Sequence, residues 1–499
     1  MKCSQCGRTC ERNSSFCSIC GSPLSAPKRS FPVKKVLLRI LICGLAAAAI
    51  AVGVSAARTF LNRQDMPSDG FLLVPGRGET TAIFHNDHLI QRLTLPEDYD
   101  AQFNFGQTAG LITSRSTLRV VTREEITELK NVRPNTHVLS ADGDFMAYIT
   151  DDDRLILRDI AGKTEQEIIR AEEIRRPVIS PDGQSLAFCV LENDQAHLMV
   201  YTKGALGSEV LLGCSPIGIS NDAGLLYCRK DDTGELLVSR NGEDPTVLAV
   251  KPSGTYAFNR DLTEILFGVS EDGEWYVSEE GTAPCRIASD TEDLTLLQSA
   301  FEGSAGEEVK TYDIPSFAGR YYHSADRDAV YLVEKQWTTR EFGADAASAV
   351  LGGDRTVYCH GDGSLHMIKG TKETTIMENE GTPLGLRGIA ASSDGKHFYC
   401  VAGEDQTLYH IKNGGKPEAV AAQVGKIYMT RDDKLLLRAL DEDGNPALFC
   451  LRNNGRLKKL CNDVQEVCVG AGSAAYTAEG DMFCATGTLR FKQVDFSDR

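Results

Sequence analysis

The chain lacks the short motifs that mark the common catalytic sites. No G-x-S-x-G nucleophile elbow, no Walker phosphate loop and no H-E-x-x-H zinc motif occurs in its 499 residues. The histidines are scattered, and we expect each to be solvated or packed rather than a ligand: His85, His88, His197, His323, His360, His366, His397 and His410. We therefore expect that the protein is not an enzyme.

Tryptophan and positive charge are also scarce. The chain has 2 tryptophans, 46 glycines and charges spread along its length, which favours a turn-rich β protein over a helical one. The net charge is −17. Residues 1–39 carry +7, so the remainder carries −24. Because an acidic exterior repels phosphate, we do not expect a nucleic acid partner for this larger part.

One long apolar run is present, over residues 36–57. It carries no charged residue from Ile40 to Ala57, and eighteen helical residues cover about 27 Å, close to the thickness of the bilayer core. Basic residues are more numerous before the run than after it, which places the N-terminus in the cytoplasm. A cleaved signal peptide is the alternative, since residues 55–57 are small, but about 35 residues precede the run and favour an anchor.

Sixteen cysteines form two groups, of which the first is N-terminal. Two C-x-x-C pairs are each followed by glycine, which tolerates a positive φ, and four thiolates satisfy Zn²⁺ tetrahedrally. We expect one structural Zn²⁺ ion on four ligands: Cys3, Cys6, Cys17 and Cys20. A disulfide or redox dithiol fits a short cytoplasmic segment poorly. Cys10 is interpreted as a spare thiol.

The pattern Cys3-x-x-Cys6-Gly7 followed by Phe16-Cys17-x-x-Cys20-Gly21 resembles the short zinc ribbon at the N-terminus of many bacterial membrane proteins. The resemblance covers residues 1–24, and it implies a structural Zn²⁺ and a protein contact without catalysis. Residues 25–35 then form a basic linker suited to anionic lipid, and residues 58–70 form a polar tether after the membrane helix.

The rest of the chain repeats at about forty residues. Turn aspartates recur at this spacing: Asp142, Asp182, Asp222, Asp261, then Asp354 and Asp394. In the turn 180–183, the Asp182 carboxylate can accept hydrogen bonds from the following amides while Gly183 adopts a left-handed conformation. Four antiparallel strands per repeat are typical of a propeller blade. The S-P-D-G turn resembles the blades of Tol-type and Trp-Asp-type propellers, which implies the fold but no ligand.

We therefore predict a mainly β fold, with a β-propeller-like domain over residues 71–499. Ten candidate units are present, and one large ring is favoured over two smaller rings. Residues 71–100 are expected to supply the strand that closes the first and last blades. Residues 288–320 break the period, either as an insertion in one blade or as the joint between two rings.

The second group of cysteines belongs to the repeat. Cys189, Cys228, Cys359 and Cys400 each follow an aromatic residue in a second strand. We expect them to lie far apart in the ring and to fill space in the apolar core. One or two disulfides among the less regular cysteines near the C-terminus are an alternative that the sequence does not decide. The acidic segment 441–444 lacks the bidentate glutamate of a calcium loop, which favours a solvated hairpin tip.

These features predict a single-pass membrane protein that acts by interaction or sensing. An external propeller would bind a protein, a peptide or a cell-wall ligand, and a cytoplasmic zinc ribbon would contact an internal protein partner or aid assembly. One alternative is an extracytoplasmic lyase or hydrolase with its site in the central channel. Another is a regulator whose ribbon binds nucleic acid, although Lys2, Arg8, Arg12 and the linker are few cations for strong affinity.

Overall fold

The computed structural model describes residues 2–11, 15–24 and most of 70–493, where the longest gaps are 313–319 and 379–387. The chain divides into two compact units, Met1–Gln64 and Asp65–Arg499. The basic linker, the predicted membrane helix over 36–57 and nearly all of the tether lie outside the described residues. Within the described residues, no helix combines the length and apolarity needed to cross a membrane.

The described part of the second unit is built almost entirely of antiparallel sheets. The first, which we call the closing sheet, has three strands: β1 Phe71–Pro75, β2 Thr80–His85 and β3 His88–Thr94. Blades of four strands follow it along the chain. Blade 1 contains β4 Asp100–Phe103, β5 Ala109–Ser114, β6 Thr117–Thr122 and β7 Ile126–Leu129. Blade 2 contains β8 Val138–Leu139, β9 Phe145–Ile149, β10 Arg154–Asp159 and β11 Thr164–Arg170.

Blades 3 to 5 continue the pattern. Blade 3 contains β12 Ile174–Ile179, β13 Ser185–Glu192, β14 Gln195–Thr202 and β15 Ala205–Leu212. Blade 4 contains β16 Cys214–Ile219, β17 Leu225–Lys230, β18 Leu236–Arg240 and β19 Thr246–Ala249. Blade 5 contains β20 Pro252–Asn259, β21 Glu264–Val269, β22 Glu274–Glu279 and β23 Cys285–Ala288.

Blades 6 and 7 surround the break in the repeat. Blade 6 begins with β24 Thr295–Leu296 and is interrupted by the insertion strands β25 Glu302–Ser304 and β26 Val309–Tyr312. It resumes with β27 Arg320–Ser324, β28 Ala329–Val333, a 3₁₀ turn Lys335–Trp337 and β29 Thr339–Phe342. Blade 7 contains β30 Ala346–Gly352, β31 Arg355–His360, β32 Leu365–Lys369 and β33 Lys372–Met377.

Blades 8 to 10 complete the described sheets. Blade 8 contains β34 Gly388–Ala391, β35 His397–Ala402, β36 Thr407–Lys412 and β37 Glu418–Ala421. Blade 9 contains β38 Val424–Met429, β39 Leu435–Leu440, β40 Pro446–Leu451 and β41 Leu457–Asn462. Blade 10 contains β42 Val464–Val469, β43 Ser473–Ala478, β44 Asp481–Thr486 and β45 Lys492–Gln493.

Apolar clusters join each sheet to its neighbours and close the ring. Ile83 of the closing sheet packs with Ile112 and Val121 of blade 1. On the other side, Leu72 and Phe84 of the same sheet pack with residues of blade 10. Over the described residues, ten blades and the closing sheet therefore form a single propeller. The predicted single ring is confirmed, and residues 71–94 supply a three-stranded sheet where one strand was predicted.

The first strand of each blade lies on the inside of the ring. Neighbouring first strands contact one another, for example β12 with β16, β30 with β34, and β34 with β38. Fourth strands such as β11 and β33 are mostly exposed. Burial varies among the inner strands: β16 is buried along its whole length, whereas β4 and β38 are partly exposed.

A buried hydroxyl shapes the turn after the first strand. The Ser180 hydroxyl accepts a hydrogen bond from the Ser185 amide at 2.9 Å and donates one to the Asp182 carboxylate at 2.7 Å. Asp182 in turn accepts from the Gln184 amide at 3.0 Å, and Gly183 has a φ of +72°. The same serine–aspartate hydrogen bond occurs in blades 4 and 8, as Ser220–Asp222 and Ser392–Asp394. The predicted turn geometry is confirmed, although the role of the serine was not foreseen.

The break in the repeat at 288–320 is an insertion and not a joint between rings. One apolar cluster runs continuously from blade 5 into blade 6. The inserted strands form an antiparallel hairpin, and β26 pairs in parallel with β20. Because β20 is an inner strand, the hairpin extends blade 5 toward the centre of the ring, where β25 approaches β4 of blade 1.

The repeat cysteines are buried, as predicted, but their predicted separation is wrong for neighbouring blades. Cys189 of blade 3 shares one apolar cluster with Cys214 and Cys228 of blade 4, because second strands of adjacent blades face each other across the same core. Cys450 and Cys461 near the C-terminus are free thiols.

Candidate functional site

Two matching hairpins position the N-terminal thiols. In the first, the Gly7 amide donates to the Cys3 carbonyl at 2.9 Å, and the Cys3 amide donates to the Arg8 carbonyl at 2.8 Å. The second repeats both hydrogen bonds between Gly21 and Cys17 and between Cys17 and Ser22. Gly7 and Gly21 have φ values of +74° and +66°, a conformation that glycine adopts without steric cost.

The hairpins bring four sulfurs to one point. The Sγ atoms of Cys3, Cys6, Cys17 and Cys20 all lie within 4.8 Å of one another. The Cys3–Cys20 separation is 3.5 Å and the Cys6–Cys17 separation is 3.6 Å. Tetrahedral coordination with Zn–S bonds of about 2.3 Å requires sulfurs roughly 3.8 Å apart. The four thiols can therefore hold one metal ion, and they are the one such group within the described residues.

Local hydrogen bonds make these thiols unequal in acidity. The Cys20 and Ile19 amides lower the pKa of Cys17 to about 6, and the Ser22 hydroxyl lowers the pKa of Cys20. The Arg8 amide also lowers the pKa of Cys6, but the neighbouring Cys20 and Cys17 thiols outweigh it and the value rises to about 12. Four thiolates this close repel one another, and a bound cation would remove that repulsion.

Cys10 is not part of the four-sulfur group. Its Sγ lies 3.8 Å from the Arg8 carbonyl, and burial is the first cause of its raised pKa. Its thiol also forms a hydrogen bond with the Cys17 thiol, so it borders the four-sulfur group.

The ring presents two faces made of turns. Successive strands alternate in direction, so the turns after first and third strands lie on one face, which we call the Asp-turn face. Backbone hydrogen bonds link such turns within a blade, as between the Asn413 amide and the Lys396 carbonyl at 2.7 Å. The turns after second strands form the opposite face. The loops between most blades lie on that face as well.

The acidic clusters seen in the sequence all lie on the opposite face. Residues 151–153, 231–232 and 441–443 each occupy the turn between a second and a third strand. Asp441 accepts hydrogen bonds from the Asp443 and Asn445 amides at 3.0 and 2.8 Å, and Lys459 contacts its carboxylate at 2.6 Å. The Asp441 carboxylate is therefore held by its own turn and by Lys459 of β41, and its side chain is only 7% exposed. The predicted solvated tip fits residues 442–444, which are exposed, but not Asp441.

The first strands of the described blades and of the closing sheet carry few ionisable groups suited to acid–base chemistry. Among the first strands of the described blades and the closing sheet, Asp100 and Glu466 are the acidic residues, and none is a histidine. They belong to different blades, β4 and β42. Catalysis by paired carboxylates requires the two groups to flank one substrate bond, roughly 5–10 Å apart.

Some histidines are less scattered than the sequence indicated. The His397 Nδ1 and His410 Nε2 atoms lie 2.8 Å apart on neighbouring strands of blade 8, and Tyr399 stacks on His410 at 4.8 Å. The His360 and His366 rings lie 5.5 Å apart in blade 7. Neither pair belongs to a group of three metal-ligating side chains among the described residues. Cross-strand register, which sequence spacing did not show, creates both pairs.

Comparison with known proteins gives similarity in structure alone. No family model matches the chain, and no curated protein matches it. Many solved structures do match. BamB from Moraxella catarrhalis is 12% identical, with 60% of this chain and 91% of that chain covered and a TM-score of 0.33.

Two further structures have similar values. A putative TolB from Agrobacterium tumefaciens is 13% identical, with coverage of 44% and 88% and a TM-score of 0.31. A eukaryotic initiation factor is 12% identical, with coverage of 85% and 96% and a TM-score of 0.35. The propeller assignment itself rests on the strand order and the closed ring of clusters in this chain.

Proposed function

We propose that the protein is a single-pass membrane-anchored interaction or sensor protein without catalytic activity of its own. Its propeller lies outside the cytoplasm and binds a protein, peptide or cell-envelope ligand, and its N-terminal ribbon lies inside. One observation carries the proposal: a metal-ligating thiol unit is joined to a large ring whose described inner strands gather no catalytic constellation.

The metal of the thiol centre is Zn²⁺ in this proposal. An all-thiolate set at tetrahedral spacing supports it, since closed four-cysteine sites are typical of structural zinc. When bound, the ion would hold the two hairpins together. Purified protein is expected to contain one zinc per chain, and a Cys17→Ser/Cys20→Ser variant to contain none. Stoichiometric iron in freshly purified protein would contradict the zinc assignment.

Sequence supports the membrane part of the proposal. The apolar run over 36–57 has the length of a crossing helix, and the excess of Lys and Arg before it favours an internal N-terminus. The ribbon would then meet a cytoplasmic protein partner, and the basic linker 25–35 would contact membrane lipid.

The ring is proposed as the binding module. Rigid sheets that carry exposed turns are a common scaffold for recognition, and both faces of this ring offer many such turns. The hairpin at the inner edge of β20 weighs against a substrate site along the ring axis, so the external channel enzyme is the weaker alternative.

Site-specific photo-crosslinking in cells of the source organism tests the binding role. A photoreactive residue at Asn413 samples the Asp-turn face and one at Asp152 samples the opposite face, both exposed. A third at buried Phe188 is the matched control. We expect a discrete protein adduct from at least one face and none from the control. Absence of an adduct from positions on both faces would contradict the proposal.

A further inference from the structure

Three consecutive blades share a basic feature on the Asp-turn face. In blades 7, 8 and 9, the tight turn between the third and fourth strands is flanked on both sides by a cation. We call these six exposed residues the basic arc: Lys369, Lys372, Lys412, Lys416, Arg452 and Arg456. The three turns contain no acidic residue, so their charges add.

Most of the arc has no counterion. Lys369 lies 3.6 Å from Asp354. By contrast, Lys372, Lys412, Lys416 and Arg452 form no ion pair with any described residue. Exposed cations without a local partner are available to an anion at little desolvation cost.

Two carboxylates in the inner turns on the same face are already used. Asp394 pairs with Lys396 at 2.8 Å and accepts the Ser392 hydroxyl. Asp433 accepts hydrogen bonds from the Ser393 amide and hydroxyl at 2.6 and 2.7 Å. These contacts fix the inner turns of blades 8 and 9, so neither carboxylate is needed to neutralise Lys412 or Arg452.

The corresponding turns of three other blades carry acidic residues. Blade 1 places Glu124 and Glu125 in this turn, blade 4 ends it with Glu243 and Asp244, and blade 5 begins it with Glu279 and Glu280. The arc is thus a positive sector on a chain whose net charge is −17. Its six cations lie in three consecutive blades.

Backbone hydrogen bonds close the turn of blade 8 and connect the ends of the turn in blade 9. The Gly415 amide donates to the Lys412 carbonyl at 2.9 Å, and the Gly455 amide donates to the Arg452 carbonyl at 2.9 Å. Asn413 and Gly414 have φ values of +53° and +71°, the conformation of a tight hairpin turn. A preformed backbone lowers the entropy lost when a ligand binds.

Resting on the protein-binding function proposed above, we propose that the basic arc docks an extended acidic segment of a protein partner. At physiological salt its field acts over a Debye length of about 8 Å, so a ligand must carry its charges within the arc. A long nucleic acid, with one charge per about 1.7 Å, would extend beyond the arc onto a chain whose net charge is −17. A short acidic segment avoids that repulsion.

The test uses purified full-length protein and a fluorescent twelve-residue peptide of alternating glutamate and serine. The variant Lys412→Gln/Lys416→Gln removes two charges from the arc. The control Arg123→Gln/Lys130→Gln removes two exposed charges from blade 1 and the loop after it. We expect the arc variant to bind about fivefold more weakly at low salt. The control should stay within about twofold of the unchanged protein, and adding Lys372→Gln and Arg452→Gln to the arc variant should abolish binding.

Several outcomes overturn the proposal. If the arc and control variants lost the same affinity for the peptide, binding would depend on net charge and not on the arc. If phosphatidylglycerol vesicles bound and the peptide did not, with vesicle binding lost in the arc variant, the arc would be a lipid contact. If cellular crosslinking captured a protein partner that the arc variant held as firmly as the control, the protein-binding function would stand and the arc assignment would fall.

Discussion

The two units of this chain show two different ways to stabilise a fold. In the described part of the first unit, Cys3 and Cys17 are the buried apolar residues, while Phe16 and Ile19 are 60% and 66% exposed. The ring instead buries side chains between every pair of neighbouring sheets. A segment with no core depends on its metal for folding, whereas a large ring depends on apolar burial.

Metal removal should separate the two units most sharply. A chelator is expected to unfold residues 2–24, because metal binding supplies about 10–16 kcal/mol in ribbons of this kind, and to leave the melting temperature of the ring unchanged. Hydrogen exchange on the full chain measures both regions at once. A Cys10→Ser variant is the control and should keep its metal. If chelation also increased hydrogen exchange in the ring, the two units would not be stabilised independently.

Truncation of a core side chain should show the reverse pattern. Phe258 is fully buried and lies edge-to-face with Tyr227 at 5.2 Å. Phe258→Ala should lower the free energy of unfolding of the ring by about 3–5 kcal/mol without changing the metal content. Denaturant unfolding measures the loss, and Val250→Ala at an exposed position is the control. A cost under about 1 kcal/mol would mean that this cluster does not stabilise the ring.

Two glycines distinguish turn geometry from packing. Gly183 and Gly204 both have a positive φ, but a Cβ at Gly183 would meet Phe145 at 2.5 Å, whereas a Cβ at Gly204 would meet nothing within 4 Å. Gly204→Ala should cost about 1 kcal/mol for the left-handed conformation alone. Gly183→Ala should cost at least about 1 kcal/mol more in thermal unfolding. Equal costs would show that the inner turns are loosely packed.

The smallest expected effect concerns pH. Burial, followed by the nearby His397 charge, lowers the pKa of His410; Glu418 acts in the opposite direction and Lys412 in the same one. Below about pH 6.5 the unfolded chain therefore takes up a proton at His410 that the folded chain resists. The free energy of unfolding thus decreases as the pH is lowered. His410→Asn should weaken this acid sensitivity in melts between pH 7.5 and 5.5. If acidification lowered the melting temperature more steeply in the variant than in the unchanged protein, the predicted direction of the His410 effect would be wrong.

Repetition made much of the ring predictable. Each Asp turn repeats the same local hydrogen bonds at forty-residue intervals, so one unit such as 178–201 indicates the others. The four-thiol centre was predictable for a related reason, because both halves of the site carry the same C-x-x-C-G spacing. Local, repeated chemistry is what a single sequence displays most clearly.

Long-range pairing was not predictable. The parallel contact between β26 and β20 depends on where the insertion returns to the ring, which residues 298–320 do not encode as a pattern. The Cys189–Cys214–Cys228 core and the His397–His410 pair depend on the register between strands and blades. A one-residue change of register would place these side chains on the other face of the sheet.

Thiol labelling of intact cells tests the proposed arrangement most directly. Among the described cysteines, Cys285 is the exposed thiol of the ring, and Cys6 and Cys20 are the exposed thiols of the ribbon. A membrane-impermeant maleimide should label Cys285 in intact cells, with no label in Cys285→Ser. The ribbon thiols should react only after lysis with a chelator. If Cys285 stayed unlabelled in intact cells and reacted after lysis, the ring would not lie outside the cytoplasm.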